Sequence, residues 1–234
     1  MLIVKNFNKT VCLVTGASSG IGEQTAIKIS NIVDHVYILS RDVSKLEIVN
    51  DHIIKNGSEC TIVPMDLTKK NNIKELAKNI YDKENKIDIV ISSAGRINQL
   101  SPIGSQNENE VIKTFELNYL ANLSLMKEFL PLLKLSNKGK FIIISSMYST
   151  LKSQYWGGYQ PIMTALNELV RIYAEENKNI RVNCICPSAV DTNFRHEIMP
   201  GEDKKLILKP EKIAENIIKT IQDGTIQSGD IITI

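Results

Sequence analysis

The sequence predicts a single α/β domain in which helices cover both faces of a parallel sheet, a doubly wound fold. Short runs rich in valine and isoleucine alternate with longer segments of helical periodicity, the pattern of repeated β-α-β units. The strand candidates are apolar on both faces, as in a sheet covered by helices on each side. At 234 residues, and without a linker rich in proline, glycine or serine, the chain has the size of one large domain.

The elements alternate in order along the chain. Seven short apolar runs are the strand candidates: 11–15, 36–40, 61–63, 87–92, 141–145, 180–186 and 230–234. Helical spacing of apolar residues predicts helices between them, near 20–31, 44–56, 70–84, 107–134, 158–177 and 210–222. Because crossovers between parallel strands are right-handed, we expect these helices on both faces of the sheet.

One segment, 188–209, departs from this alternation. It follows the sixth strand, lacks a strand period and contains Pro200, Gly201 and many polar residues. Ligands of open parallel sheets bind at the carboxyl edge of the strands. The segment is therefore either a mobile substrate loop or a plain surface insertion.

Charge and composition restrict the class of partner. The net charge of +2 offers no broad positive surface for nucleic acid or anionic lipid, so we expect a small-molecule partner and neither a nucleic acid nor a membrane. The sequence does not begin with a signal-peptide pattern, and no run approaches the roughly 18 apolar residues of a spanning helix. A cytoplasmic protein is expected.

Cysteine and histidine spacing predicts no metal site. Cys12, Cys60, Cys184 and Cys186 lack Cys-x-x-Cys or Cys/His ligand spacing and are interpreted as reduced, buried thiols. The three histidines also lack ligand spacing, and we expect all of them on the surface or in loops: His35, His52 and His196.

A glycine-rich turn follows the first strand and leads into the helix that begins near Glu23. Glycines let the backbone turn tightly and approach a pyrophosphate, whose charge then meets the free amides and positive end of that helix. This position in the first β-α-β unit indicates nucleotide binding. The residues predicted to hold the phosphates are Gly16, Ser18, Ser19, Gly20, Ile21 and Gly22.

The end of the second strand indicates which nucleotide is bound. An acidic side chain there reads a free ribose 2′-hydroxyl, and a basic one accommodates a 2′-phosphate. Here Ser40 is followed by Arg41, which favours NADP(H) over NAD(H). Arg41 is alternatively a solvated surface residue, or is drawn away by Asp42. Asp66 and Leu67 after the third strand are expected to contact the adenine, although an Asp ending a strand is often only a helix cap.

At this point the chain resembles the short-chain dehydrogenase/reductase family over essentially its whole length, which implies a Rossmann fold. The spacing Thr-Gly-x-x-x-Gly-x-Gly from Thr15 to Gly22 distinguishes that family from other dinucleotide-binding folds. Ser92-Ser93-Ala94-Gly95 resembles the family's Asn-Asn-Ala-Gly with both Asn replaced, and Ala94 and Gly95 keep the small pair that lets the cofactor pass.

The resemblance also implies site residues further along the chain. Asn118 falls where the family has its catalytic-helix Asn, and Ser146 where a Ser polarises the substrate carbonyl. Pro187-Ser188 resembles the family's Pro-Gly, and Thr192 stands where a hydroxyl contacts the nicotinamide carboxamide. Tyr159, thirteen residues beyond Ser146, would be the general acid and would also contact the cofactor.

The main departure from the family lies one helical turn beyond Tyr159. The family requires Lys there, and this chain has Met163, so the geometry is kept while the charge is absent. A family Lys binds the nicotinamide ribose and lowers the Tyr pKa, and Met does neither. Tyr148 and Lys152 also match Tyr-x-x-x-Lys. Tyr148 lies only two residues after Ser146, in the loop that follows the fifth strand, so this pair cannot occupy the catalytic helix turn. Lys152 is retained as an alternative source of the missing cation.

Two functions from different classes remain open. The first is an oxidoreductase that transfers hydride between NADP(H) and a carbonyl/alcohol pair, with Asn118 organising a water chain. The second is a nucleotide-binding pseudoenzyme with a regulatory or scaffolding role, which Met163 and two further departures, Ser93 and Ser188, favour. Helices 107–134 and 158–177 are the surfaces by which this family commonly pairs subunits, so a homodimer or homotetramer is expected, although their apolar stripes are equally explained as core.

Overall fold

A computed structural model describes residues 9–69, 71–151 and 153–234. The described residues form seven strands: β1 (Val11–Thr15), β2 (His35–Ser40), β3 (Glu59–Pro64), β4 (Ile89–Ser92), β5 (Lys140–Ile144), β6 (Arg181–Cys186) and β7 (Ile231–Thr233). They pair in the order β3-β2-β1-β4-β5-β6-β7, and every neighbouring pair is parallel. The predicted doubly wound sheet is confirmed.

The helices lie between the strands, where the sequence periodicity predicts them, except for the short helix Asn193–Ile198 in the segment 188–209, where none was predicted. They are α1 (Gly20–Ile29), α2 (Val43–Lys55), α3 (Asn72–Glu84), α4 (Glu108–Phe115), α5 (Ala121–Lys134), α6 (Gln160–Glu176), α7 (Asn193–Ile198) and α8 (Pro210–Gln222). Within the described ranges, none of them combines the length and the apolar character needed to cross a membrane.

Alternate residues of the strands face two separate cores. On one face, Leu13 of β1 packs in a cluster with Phe129 of α5 and Leu166 of α6. On the other, Val14 packs in a cluster with Ile217 of α8 and with side chains of α1 and α2. Each of these buried side chains stabilises the fold by about 1.5–3 kcal/mol relative to exposure. The two clusters explain why the strands are apolar on both faces.

The predicted helix 107–134 is not one continuous α-helix. Between α4 and α5 lies a π-helical segment, Glu116–Leu120, in which the amide of Ala121 bonds the carbonyl of Glu116 five residues earlier. Such a bulge adds a residue to one turn and is common at functional sites. Its centre is Asn118.

His35 is buried at the start of β2, which corrects the expectation of a surface or loop position. Its Nδ1 lies 2.8 Å from Glu84 Oε1 and its Nε2 lies 2.8 Å from Thr61 Oγ1. Burial and the nearby charge of Lys9 lower the pKa of His35, and Glu84 opposes them. The side chain is tolerated in the sheet because a second strand and a helix supply hydrogen-bond partners.

The strand order places a crevice at the centre of the sheet. The chain runs outward from β1 to β3 and then returns to β4 on the other side of β1. The loops that follow β1 and β4 therefore diverge to opposite faces, which leaves an opening at their carboxyl ends where ligands of this architecture bind.

Candidate active site

A cleft of about 930 Å³ lies over the carboxyl ends of the strands. It is lined by turns after β1, β2, β3, β4, β5 and β6 and by one face of α6. All predicted site residues except Gly22 line it: Gly16, Ser18, Ser19, Gly20, Ile21, Arg41, Asp66, Leu67, Ala94, Gly95, Asn118, Ser146, Tyr159, Pro187 and Thr192. The fold thus gathers into one cleft residues that lie far apart in the sequence.

The glycine turn after β1 packs so closely on the turn after β4 and on itself that side chains have no space there. Gly16 has φ +67°, and a Cβ on it would lie 2.7 Å from the backbone nitrogen of Ala94. Gly22 lies beneath the turn, where a Cβ would lie 2.2 Å from the carbonyl oxygen of Gly16. The side chain of Ser19, which precedes α1, makes no capping hydrogen bond, so the helix presents amides to an anion.

The end of β2 leaves the guanidinium of Arg41 exposed at the rim of the cleft. Asp42, the residue that could draw it away, instead accepts a hydrogen bond from the Lys45 amide at 3.2 Å and pairs with Lys45 Nζ at 3.3 Å. Asp66 accepts two bonds from Thr68, which with the charge of Arg41 hold the pKa of Asp66 below its ordinary value. Asp66 is thus both a turn cap and a lining residue.

Tyr159 stands directly before α6, with only 6% of its surface exposed. Burial raises the pKa of Tyr159, and the neighbouring Ser146 hydroxyl acts in the opposite direction. Ser146 directly precedes the turn Met147–Ser149, and its Oγ accepts a hydrogen bond from the Tyr148 amide at 3.3 Å. Two neighbouring hydroxyls therefore line the cleft, and burial holds the phenol protonated near neutral pH.

Asn118 is held on both sides by the turn after β4. Its Oδ1 accepts a hydrogen bond from the Arg96 amide at 2.9 Å, and its Nδ2 donates to the Arg96 carbonyl at 2.8 Å. Nδ2 also lies 3.5 Å from Met163 Sδ. The π-helical segment thus brings Asn118 against the face of α6 that carries Met163.

Met163 is buried one turn after Tyr159, and its amide bonds the Tyr159 carbonyl at 3.2 Å. Among the described residues near this end of the cleft, Arg96 and Lys113 pair with Glu110, and Arg195 pairs with Glu202. Each of these cations holds a carboxylate instead of facing the phenol. Lys152, the alternative cation, lies outside the described residues.

An aromatic wall that sequence reasoning missed borders the same end of the cleft. Tyr148, in the turn Met147–Ser149, stacks on Trp156 with ring centroids 3.8 Å apart. The Arg195 guanidinium lies over both rings and binds Glu202 through two bonds of 2.7 Å. Arg195 and Glu202 both lie in segment 188–209, which is partly helical and contacts the wall through Arg195, whose Nη2 also donates to the Tyr148 hydroxyl at 3.3 Å. The aromatic residues that follow Ser146 in the sequence, Tyr148 and Trp156 among them, are the signal that could have indicated this wall.

Asn122 was also missed, since nothing in its sequence context singles it out. It lies one turn beyond Asn118, is buried, and lines the cleft. Its Nδ2 donates to the Asn118 carbonyl at 2.8 Å, while its Oδ1 is buried with no hydrogen-bond partner among the described residues. An unpaired buried polar atom costs about 1–3 kcal/mol.

Comparison with known proteins agrees with this geometry. The family model for short chain dehydrogenase matches residues 10–203. The chain belongs to the short-chain dehydrogenase family. It is 30% identical over 210 residues to the uncharacterised oxidoreductase YciK of Escherichia coli K12, covering 88% of this chain and 83% of that protein.

Solved short-chain dehydrogenases share the whole fold. An alcohol dehydrogenase from the archaeon Thermococcus sibiricus, complexed with 5-hydroxy-NADP, superimposes with a TM-score of 0.88 at 28% identity, covering 96% of this chain and 95% of the other. A short chain dehydrogenase from Shigella flexneri 2a strain 301, complexed with NADP, gives 0.89 at 28% identity and covers 97% of both chains. The family is therefore one of nicotinamide-dependent oxidoreductases.

Proposed function

We propose that this short-chain dehydrogenase transfers hydride between NADP(H) and a carbonyl/alcohol substrate. The observation that carries the proposal is that the buried residues Ser146 and Tyr159 neighbour one another in the same cleft as the glycine turn. A nucleotide-binding turn alone would support binding only. The paired hydroxyls add a proton donor and a carbonyl-polarising group.

The cofactor fits the residues that line the cleft. Gly16 packs closely on the Ala94 backbone, and the amides at the start of α1 suit a pyrophosphate. We propose that the phosphates bind there, the adenosine beside Arg41, Asp66 and Leu67, and the nicotinamide half against the remaining residues: Ala94, Gly95, Tyr159, Pro187 and Thr192.

In the proposed reaction, Tyr159 gives its phenolic proton to the carbonyl oxygen of the substrate, and Ser146 donates a hydrogen bond to the same oxygen. NADPH, when bound, would supply the hydride for the carbonyl carbon. Because burial keeps Tyr159 protonated, reduction has its acid ready near neutral pH. Alcohol oxidation needs the phenolate, so we expect it only at alkaline pH.

NADP(H) is the proposed cofactor because Arg41 lies at the rim of the cleft without an ion pair to Asp42 among the described contacts. A guanidinium matches phosphate geometry, and Ser40 brings no acid that would repel a 2′-phosphate. The NADP-bound relatives from Thermococcus sibiricus and Shigella flexneri support this choice.

The deciding experiment is a fluorescence titration with NADPH and NADH, followed by turnover on a panel of carbonyl substrates. Binding of NADPH with reduction that is lost in Tyr159→Phe supports the proposal. Binding without turnover on any substrate would favour the alternative of a nucleotide-binding pseudoenzyme, which the names of the relatives do not support.

We further propose a homodimer or homotetramer that pairs through the outer faces of α4, α5 and α6. These faces expose Ile112, Phe115, Leu123 and Ile172. Analytical ultracentrifugation tests this, and a monomer at micromolar concentration would contradict it. A cytoplasmic location is proposed on the free thiols, three of them buried, with Cys60 half-buried instead of buried as expected.

A further inference from the structure

The ring of Tyr159 contacts two aromatic side chains that come from different parts of the chain. The Trp156 ring approaches it edge-on with centroids 5.9 Å apart, and the Phe194 ring is tilted against it at 6.3 Å. Trp156 precedes α6, whereas Phe194 belongs to α7 in segment 188–209. A substrate whose carbonyl group reaches the phenol therefore meets aromatic side chains as well.

The lining of the cleft extends this apolar surface. Phe194 and Ile198 lie one turn apart on α7, and both line the cleft. Ile97, from the turn after β4, lines it as well. These three side chains pack against the core cluster that contains Tyr159 and Trp156. Because each of the three is only half-buried, each leaves apolar surface for a ligand to contact.

The charged groups in the described part of this lining disfavour an anionic substrate. Arg195 is buried and holds Glu202 through two bonds of 2.7 Å, so its charge is already neutralised. The other two nearby cations likewise pair with a carboxylate. Glu116 and Glu197 line the cleft exposed, without an ion pair among the described contacts. An anion bound beside the aromatic rings would lose water without gaining a cation, which is unfavourable.

On the basis of the proposed carbonyl reduction, we propose that the substrate is an uncharged aldehyde or ketone with an aromatic ring next to the carbonyl group, and that Phe194 determines this preference. Aromatic rings pair edge-on or offset at centroid distances of about 4.5–7 Å, with an attraction beyond the burial of apolar surface. The Tyr159 ring already pairs with Trp156 and Phe194 in this range. An aryl group bound against Phe194 extends the same arrangement, and its reduction gives a benzylic alcohol.

The first test concerns charge. It compares methyl para-formylbenzoate with para-formylbenzoate, which share the ring and the aldehyde, and follows NADPH oxidation by the wild-type protein. We expect the KM of the anion to be about tenfold or more above that of the ester, because its carboxylate finds no unpaired cation among the described residues of this lining. An equal or lower KM for the anion would overturn the uncharged class.

The second test assigns the preference for a ring to Phe194. Phe194→Leu keeps an apolar side chain, and Phe194→Ala removes most of it. Tyr81→Ala, which removes an exposed ring on α3 outside the cleft lining, is the control, and urea unfolding shows whether each variant is folded. The measured quantity is the kcat/KM for benzaldehyde divided by that for cyclohexanecarbaldehyde, a ratio in which changes of cofactor binding cancel. We expect this ratio to fall about 2- to 12-fold in both variants of Phe194 and to stay within twofold in Tyr81→Ala.

The other outcomes separate this inference from the proposed function. A ratio that is unchanged in both variants of Phe194 overturns its role. Wild-type reduction of propanal or acetone, but of none of the ring aldehydes, overturns the substrate class while the proposed function stands. A wild-type protein that shows no NADPH-dependent reduction of any carbonyl compound tested overturns the proposed function and this inference with it.

Discussion

Met163→Lys tests whether the missing cation limits catalysis. Met163 lies one turn after Tyr159, which directly precedes α6, and the Met163 amide bonds the Tyr159 carbonyl at 3.2 Å. Methionine and lysine are unbranched and of similar length, so the substitution adds a charge with little change of shape.

The expected effect follows from the state of Tyr159. Burial raises the pKa of the phenol, and no cation among the described residues is seen to oppose it. An ammonium within about 4–6 Å of the phenol favours the phenolate by roughly 1–3 pKa units, or about 1.4–4 kcal/mol. The start of α6 adds only about 1 kcal/mol in the same direction. Proton transfer should therefore improve by about 10- to 1000-fold if it limits the rate.

The assay is NADPH-dependent carbonyl reduction across pH, with alcohol oxidation measured in parallel. In Met163→Lys, the limb of the profile that depends on Tyr159 should move down by about 1–3 pH units, and oxidation should become measurable nearer neutral pH. Met163→Leu is the uncharged control, and Met163→Lys combined with Tyr159→Phe should show no gain.

Two results would refute the reasoning. The first is a folded Met163→Lys that binds NADPH and shows neither a rate gain nor a shifted limb. The second is wild-type turnover already as fast as in related reductases with lysine. In that second case, Lys152→Ala would test the alternative source of the cation.

Three further outcomes are expected. Arg41→Ala should weaken NADPH binding by about 1.5 kcal/mol, roughly tenfold in Kd, because an exposed guanidinium gives the lower end of the energy range of a charge-assisted contact. The Kd for NADH should stay constant, and equal losses for both cofactors would contradict the role of Arg41. Glu202→Gln should remove the charge that holds the buried Arg195, lower the free energy of unfolding by about 1–3 kcal/mol and raise the substrate KM; urea titration giving wild-type stability would count against a stabilising role of the Arg195–Glu202 ion pair. The pKa of His35 is lowered in the fold, so the unfolded chain binds more protons than the folded chain as pH falls below about 6.5. Stability should therefore decline below that pH, and His35→Gln should flatten that part of the curve of stability against pH. A variant with the same pH dependence as the wild type would refute this.

Much of the fold follows from local pattern. Runs of β-branched residues and helical periodicity predicted the strands and the order of elements, because parallel strands covered on both faces must be apolar throughout. The glycine turn was equally readable, since Gly16 and Gly22 occupy positions where a side chain has no space. The spacing from Ser146 to Tyr159 predicted two residues that both line the cleft.

The features of the fold that the sequence did not predict depend on contacts between segments distant in sequence or on backbone hydrogen bonds. The burial of His35 is decided by Glu84 and Thr61, which lie on another helix and strand. The interruption of helix 107–134 has no breaker residue at Asn118 and became visible only through its backbone hydrogen bonds.

The site shows the same division. Residue identity alone determined that Met163 brings no charge to the turn after Tyr159. Only the tertiary structure decided which groups surround that position, namely an Asn122 oxygen without a partner among the described residues and cations already paired with carboxylates. Identity determines what a side chain can donate or accept, whereas the packing of separate segments determines whether a partner is within reach, because hydrogen bonds and ion pairs act over only a few ångströms.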